Sequence, residues 1–236
     1  METLLVIPAY NEAPRLAGVL AGVREAAPGL AVLVVDDGSR DGSAEIAGRA
    51  GVLVVRHPFN LGYAAALQTG YRYALERGYG RVIQMDADGQ HDPASIAAIR
   101  EALDRGIDLV LGNRFLGAGS YRPPWSRRLG MMLFARLASW ILRSPVHDAT
   151  TGFQGLSGGV VAFHARARDF PPDYPDANII VRCGRAGFRI GEVPVRMRDN
   201  PTGGTLHVGL KPVAYVFEML VALAIEASRR RPAGEG

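Results

Sequence analysis

Val82-Ile83-Gln84-Met85-Asp86-Ala87-Asp88-Gly89-Gln90-His91-Asp92-Pro93 decides how this chain is read. A short apolar run that breaks off at polar residues predicts a buried strand. Carboxylates spaced i, i+2 along extended chain lie on the same side. Two hard oxygen donors at the carboxyl end of a strand suit a divalent cation that keeps water and substrate phosphates as its other ligands. Gly89 lets a ligand come close to the backbone, and Gln90 adds a third oxygen donor. Asp92-Pro93 predicts a helix start with proline in the first turn. The same residues would also serve as an ordinary Asp-Gly turn capping a helix, and Asp-x-Asp alone does not separate the two.

Outward from this stretch the pattern repeats. Leu4–Ile7 predicts a strand that stops at Pro8-Ala9-Tyr10-Asn11-Glu12, followed by a helix from Pro14 to Ala26 with Leu16, Val19, Leu20 and Val23 on one face. Ala31–Val35 predicts a strand ending in Asp36-Asp37-Gly38-Ser39, then a helix from Asp41 to Ala50 and a strand at Val52–Val55. His57-Pro58-Phe59-Asn60-Leu61-Gly62 leads into a helix over Tyr63–Arg77. Beyond the central stretch, a helix runs to Leu103, and a strand at Leu109–Leu111 ends in Gly112-Asn113-Arg114. Continuously apolar strands alternating with helices predict an α/β fold, a mostly parallel central sheet with helices on both faces. Ligands of such sheets sit outside the carboxyl ends of the strands. The polar clusters Tyr10/Glu12, Asp36/Asp37, Asp86/Asp88 and Asn113/Arg114 all fall there. No GxGxxG or GxxxxGK[ST] run is present, which argues against a dinucleotide oxidoreductase or a P-loop nucleotidase.

Bulk properties narrow the partners. At 236 residues and 48% hydrophobic content the chain can bury a substantial core. Its formal charge is +4, and Lys211 is its only lysine, so arginine carries the cationic charge. Between Asp108 and Asp148 there is no acidic residue, yet Arg114, Arg122, Arg127, Arg128, Arg136 and Arg143 fall there. That asymmetry points to an anionic partner. Nucleic acid is disfavoured, for no recognition module or aromatic stacking platform is evident. Cys183 is the only cysteine, which excludes an internal disulfide and a cysteine zinc site and predicts a buried, inert thiol. Met1 to Leu5 enters a strand without a charged leader and apolar h-region, so a cytoplasmic location is the expectation.

Pro8-Ala9-Tyr10-Asn11-Glu12, Val35-Asp36-Asp37-Gly38-Ser39, Asn60-x-Gly62, Asp86-Ala87-Asp88-Gly89-Gln90 and Asp148-x-x-x-Gly152-Phe153 follow one another in order. Over residues 3–227 this series resembles family-2 inverting glycosyltransferases of the GT-A (nucleotide-diphospho-sugar transferase) fold. Within that family it is similar to the branch of dolichyl- and polyprenyl-phosphate mannosyl- and glucosyltransferases. The resemblance implies that Pro8, Tyr10 and Glu12 line the nucleotide pocket with Val35 and Ala87, and that Asp37 contacts base or ribose. It implies that Asp86, Asp88 and Gln90 hold Mg²⁺ or Mn²⁺ against the diphosphate. Asp36 has the alternative of capping the next helix, and Glu12 that of stabilising a helix N-terminus.

In the same branch, positions equivalent to Arg114, Arg127 and Arg128 meet the acceptor phosphate. Independently of the resemblance, arginine forks match phosphate oxygens. Asp148 is expected near the sugar, as a hydroxyl contact or a general base. The catalytic residues expected on this resemblance are Asp88, Arg114, Arg127 and Asp148. The partners implied are a nucleotide-diphosphate sugar (GDP-mannose or UDP-glucose), a polyprenyl phosphate and the inner face of the cell membrane. A second copy of the chain or a membrane protein is a further candidate partner.

Leu129–Leu142 is too short to span a bilayer. With arginines at both ends and Trp140 it suits an interfacial amphipathic helix, or equally a core or dimer helix. The resemblance favours the membrane, since a polyprenyl tail needs an apolar surface. Ile179–Val195 predicts a helix and a strand containing Glu192, with a structural role. Pro212–Ala227 carries Glu218 and Glu226, costly in a membrane span, and predicts a second interfacial or packing helix before Arg229-Arg230-Arg231. The expected division is a GT-A domain over 1–205 and a C-terminal amphipathic helix and basic tail over 206–236. One segment departs from the family pattern of an arginine three residues before a glycine, a serine two beyond it and, in some members, a lysine next. Here these positions read Asn200, Gly203, Thr205 and Leu206, so a diphosphate-binding cation is lost or moved, with Arg198 or His207 as the candidate substitutes. Two other readings stay open: a hydroxyl acceptor with Asp148 or Asp176 as base, and a non-catalytic nucleotide-sugar-binding subunit.

Overall fold

The structure, a computed structural model, describes residues 1–116, 125–171, 175–198 and 211–229, apart from the side chains of residues 126, 127 and 211–214. Its strands are β1 (Thr3–Ala9), β2 (Ala31–Asp36), β3 (Leu53–Arg56), β4 (Arg81–Gln84), β5 (Leu109–Asn113), β6 (Gln154–Ser157) and β7 (Ile190–Pro194). They form one sheet in the order β3-β2-β1-β4-β6-β5-β7. Every pairing is parallel except those of β6, which runs antiparallel to both β4 and β5. The helices are α1 (Ala13–Ala26), α2 (Ser43–Arg49), α3 (Tyr63–Glu76), α4 (Ile96–Asp104), α5 (Trp125–Leu142), α6 (Gly158–Arg166), α7 (Ala177–Arg185) and α8 (Lys211–Ser228).

Alternation along the strands makes the two cores. Leu4, Val6, Leu33, Val35 and Leu111 face α3, α5, α6, α7 and α8, while Leu5, Ile7, Val34, Ile83 and Val110 face α1, α2 and α4. Both faces being covered explains the unbroken apolar runs in the sequence. Asp92 accepts from Ala94 N at 3.2 Å and starts a 3₁₀ turn, Pro93–Ser95, that runs into α4, so the expected proline start is present.

Strand β6 and helix α6 were not expected from the sequence. Gln154-Gly155-Leu156-Ser157 lacks the bulk of a buried strand because α4 presses on it: a Cβ on Gly155 would overlap Ile99 and lie 3.2 Å from Leu103. Being antiparallel, β6 begins where β4 and β5 end, with Gln154 opposite Gln84 and Leu111. The 147–153 loop is thereby delivered to the carboxyl ends of the parallel strands, where a ligand is expected.

Helix α5 begins at Trp125, four residues before the expected start, and α8 extends the expected helix by one residue at each end. Helices α5, α7 and α8 pack on one another. Cys183 is fully buried with Sγ 3.3 Å from His164 Nε2, and burial pushes the thiol far up, which keeps it unreactive.

Candidate active site

Asp86 follows the end of β4 and is clamped from both layers. The Tyr63 hydroxyl, at the start of α3, donates to Asp86 Oδ1 at 2.8 Å, and His91 Nε2 donates to Oδ2 at 3.1 Å. The His91 ring lies tilted against buried Phe153, with ring centroids 5.0 Å apart. Gly152 lies hard against the same carboxylate: a Cβ there would be 3.0 Å from the carboxyl carbon and closer still to Oδ2. Burial alone would raise the Asp86 carboxyl, but the bond and field of His91, the Tyr63 hydroxyl and the Arg114 charge outweigh it and hold it below the usual range.

Asp88 behaves oppositely. Burial, then repulsion from Asp86 and Glu12, raises its carboxyl, against a hydrogen bond from Gln90 N at 2.9 Å. Three carboxylates thus crowd one sheet edge with a surplus of negative charge. A hard dication would relieve that charge, and Mg²⁺ or Mn²⁺ fits the oxygen donors of Asp86 and Asp88. Among the described residues no group of three or more His, Cys, Asp or Glu forms a self-sufficient metal cage. The remaining ligands would be water and substrate oxygens.

Beside this lies the end of β1 and β2. Tyr10 is exposed, Pro8 pairs with Val35 and Ala9 with Asp36, and the Val35 side chain is in the core. Glu12 starts α1 without capping it; its carboxylate pairs with Arg15 at 2.7 Å. Asp36 does not cap α2 either. It is buried 3.1 Å from Arg56 Nε and accepts from Ser39 N at 3.3 Å. Asp37 is buried as well, and both its oxygens are engaged: Oδ1 by His57 Nδ1 (2.7 Å) and Leu61 N (2.8 Å), Oδ2 by Gly62 N (2.8 Å). Asp37 therefore holds the Asn60-x-Gly62 loop, a role the sequence reading did not assign to it. Ala87 is buried, and the Gln90 backbone carbonyl accepts from Arg198 N at 2.7 Å, which brings Arg198 beside the acidic loop.

On the other side, Arg114 and Asp148 are each other's partners. Both are buried; Arg114 Nε donates to Asp148 Oδ2 at 2.6 Å and Nη2 to Oδ1 at 2.9 Å, while Nη2 also reaches Thr150 O at 2.7 Å. Asp148, expected near the sugar, has both carboxylate oxygens on Arg114. Glu192 on β7 anchors the pair. It accepts from His147 N (2.8 Å), His147 Nδ1 (2.6 Å), Asp148 N (3.0 Å) and Asn113 Nδ2 (3.0 Å). The sequence signal for Glu192 was a lone acid inside an apolar strand. The side chain of Arg127, in the first turn of α5, lies outside the described residues, as do Asn200–His207; Arg128 is exposed.

Asp176 joins this group to α8. The Tyr215 hydroxyl donates to Asp176 Oδ2 at 2.7 Å, and the Tyr215 ring meets Phe134 of α5 edge-on at 5.6 Å. Burial raises the Asp176 carboxyl, opposed by Tyr215 and Arg114 and reinforced by Asp86 and Asp148. At its far end α8 is tied down by Arg229 to Asp169 at 2.6 Å. The outer faces of both helices carry large apolar side chains, Trp125, Leu129 and Trp140 on α5 and Phe217, Leu220 and Ile225 on α8, with Arg128, Arg136 and Glu218 exposed among them. Among the described residues no helix is long and apolar enough to cross a membrane.

A sheet of this order, with acidic residues after β4 and an antiparallel β6 feeding the same edge, is the GT-A glycosyltransferase architecture. It is similar to glucosyl-3-phosphoglycerate synthase of Mycobacterium tuberculosis, solved with Mn²⁺, uridine diphosphate and glucosyl-3-phosphoglycerate. The TM-score is 0.70 over 96% of this chain and 79% of that one, at 19% identity. The chain belongs to glycosyl transferase family 2, whose profile matches residues 4–162. It is 31% identical to polyprenol monophosphomannose synthase of Mycolicibacterium smegmatis, over 86% of this chain and 79% of that protein. It is 33% identical to undecaprenyl-phosphate mannosyltransferase of Micrococcus luteus, over 86% of each, and 29% identical to dolichyl-phosphate hexose transferase of Haloferax volcanii, over 84% and 83%.

Proposed function

We propose that this enzyme is a metal-dependent inverting hexosyltransferase. It moves mannose or glucose from GDP-mannose or UDP-glucose to a polyprenyl phosphate, and works as a peripheral protein at the cytosolic face of the membrane. The observation that carries the proposal is the meeting at one sheet edge of the Asp86/Asp88/Glu12 carboxylates with the buried Arg114–Asp148 pair, joined through Asp176 and Tyr215 to apolar-faced helices. The names of the relatives point to the same acceptor class.

Pro8, Tyr10, Glu12 and the Asp37-held loop border the nucleotide. Asp86, Asp88 and Gln90 would hold Mg²⁺ or Mn²⁺, which when bound supplies charge neutralisation at the departing diphosphate. An acceptor phosphate oxygen attacks the anomeric carbon; its new bond forms as the bond to the diphosphate breaks on the opposite side. A phosphate is already anionic at neutral pH and needs no base. That agrees with Asp148 being committed to Arg114, which it aims, and with positioning and charge as the enzyme's main contributions. Arg127 adds positive charge from the first turn of α5. Asp176, a carboxyl raised by burial, is the observation favouring the second reading, a hydroxyl acceptor with Asp176 as base.

The test is transfer from labelled GDP-mannose and UDP-glucose, with Mn²⁺, to vesicles carrying polyprenyl phosphate or polyprenol. The expected product is an inverted hexosyl phosphate from one donor, formed with the phosphate acceptor only. Transfer to polyprenol, or lost with Asp176→Asn alone, supports the second reading instead.

A further inference from the structure

We infer that Tyr63 is a positioning residue for the donor site: its hydroxyl fixes the Asp86 carboxylate, and a brace from the end of β2 fixes Tyr63. This rests on the reading of Asp86 as a ligand of the donor's metal ion.

The brace can be followed bond by bond. Asp37, at the end of β2, takes the backbone N–H groups of Leu61 and Gly62 at 2.8 Å each. Its third partner, His57, reaches from Nε2 to Thr69 Oγ1 at 2.9 Å, which ties the same carboxylate to the body of α3. Gly38 seats the loop closely: a Cβ there would lie 2.6 Å from Phe59 C, at a φ of 73°. Gly62 then turns the chain at φ 98°, a conformation that favours glycine, and Tyr63 is the next residue, the first of α3. With the backbone on both sides of it held, the Tyr63 hydroxyl is delivered to Asp86 Oδ1 at 2.8 Å.

The bond bridges the sheet, because β1 lies between β2 and β4. The carboxylate at the β2 end and the one after β4 are thus parts of one hydrogen-bonded frame. Asp86 is also gripped from the opposite layer by His91, so Tyr63 sets one oxygen and His91 the other. Partners that orient a ligating carboxylate govern its affinity without touching the ion. Tyr63 is part-exposed, so Tyr63→Phe removes the hydroxyl while keeping the ring.

The experiment is calorimetric titration of wild type and Tyr63→Phe with GDP and with UDP, each in Mn²⁺ and in EDTA. A melting curve in metal-free buffer checks the fold, which should stay within a few degrees. Tyr63→Phe is expected to weaken Mn²⁺-dependent nucleotide affinity about tenfold and to leave the weaker affinity in EDTA unchanged. The Mn²⁺ concentration for half-maximal effect should rise in parallel. Equal affinities in Mn²⁺, or an equal loss with and without metal, overturn the positioning role. If wild type itself shows no metal-dependent binding, the parent reading fails and takes this one with it; the wild-type arm separates the two failures.

Discussion

The two ends of this active site are built differently. Around β2 and β4, three carboxylates are held by several partners, Asp37 by three donors, Asp86 by two and Asp36 by an arginine and a backbone N–H, while Asp88 takes the Gln90 N–H. Around α5 and α8, the Tyr215 hydroxyl reaches Asp176, and the outer faces carry Trp125, Trp140, Phe217 and Ile225 in the open. The donor end is specific because a misplaced buried polar group is costly. The end that the proposed function gives to the acceptor is permissive, as would suit a long apolar tail that offers little but area. Arg114 and Asp148 lie at the seam.

That contrast can be broken at several points. The largest stability effect is expected at the seam. Asp148→Ala takes the carboxylate away from the buried Arg114 guanidinium, which costs about 3–5 kcal/mol. Thermal unfolding should shift down by roughly 10 °C. Replacing both residues with apolar ones of similar volume should restore most of the stability while abolishing transfer. If the single and double variants melt alike, the pair is not the seam described here.

Next in size is Gly152→Ala. Its Cβ would overlap Asp86 Oδ2, so the carboxylate must leave the Tyr63–His91 clamp. Metal-dependent nucleotide affinity should fall about tenfold, with a smaller change in melting temperature. Smallest is the effect of Trp140→Ala combined with Phe217→Ala. Both side chains are exposed, so stability should change by about 0.5 kcal/mol or less. Sedimentation with anionic vesicles should nonetheless weaken severalfold, with kcat on a short water-soluble acceptor unchanged. Unaltered vesicle binding would remove these faces from the acceptor end.

The same division governs what the sequence revealed. The parallel strands and most helices were legible from continuous apolar runs, and Asp86/Asp88 from their place at a strand end. Strand β6 was not, because Gly155 and Gln154 conform to pressure from α4 and to pairing on both edges, neither of which is local. Asp148 was placed near the chemistry, but its bidentate partner lies 34 residues away, a separation no motif encodes. Tyr63 looked like an ordinary helix residue, since its hydroxyl meets Asp86 only across the sheet. For α5 the sequence offered membrane helix or core helix, and the structure shows a buried inner face of Met131, Phe134 and Ala138 beside an exposed apolar outer one.

The central claim is that Asp86 and Asp88 hold a divalent ion against the donor's diphosphate. It is tested most directly by a thermal-shift titration of wild type and Asp88→Ala with GDP and UDP, each with and without Mn²⁺. At a hundredfold excess over Kd the bound state gains about 2.7 kcal/mol. The expected rise is roughly 5–10 °C with one nucleotide in Mn²⁺, and a much smaller one without metal or in Asp88→Ala. The same rise without metal, or in Asp88→Ala, would contradict it.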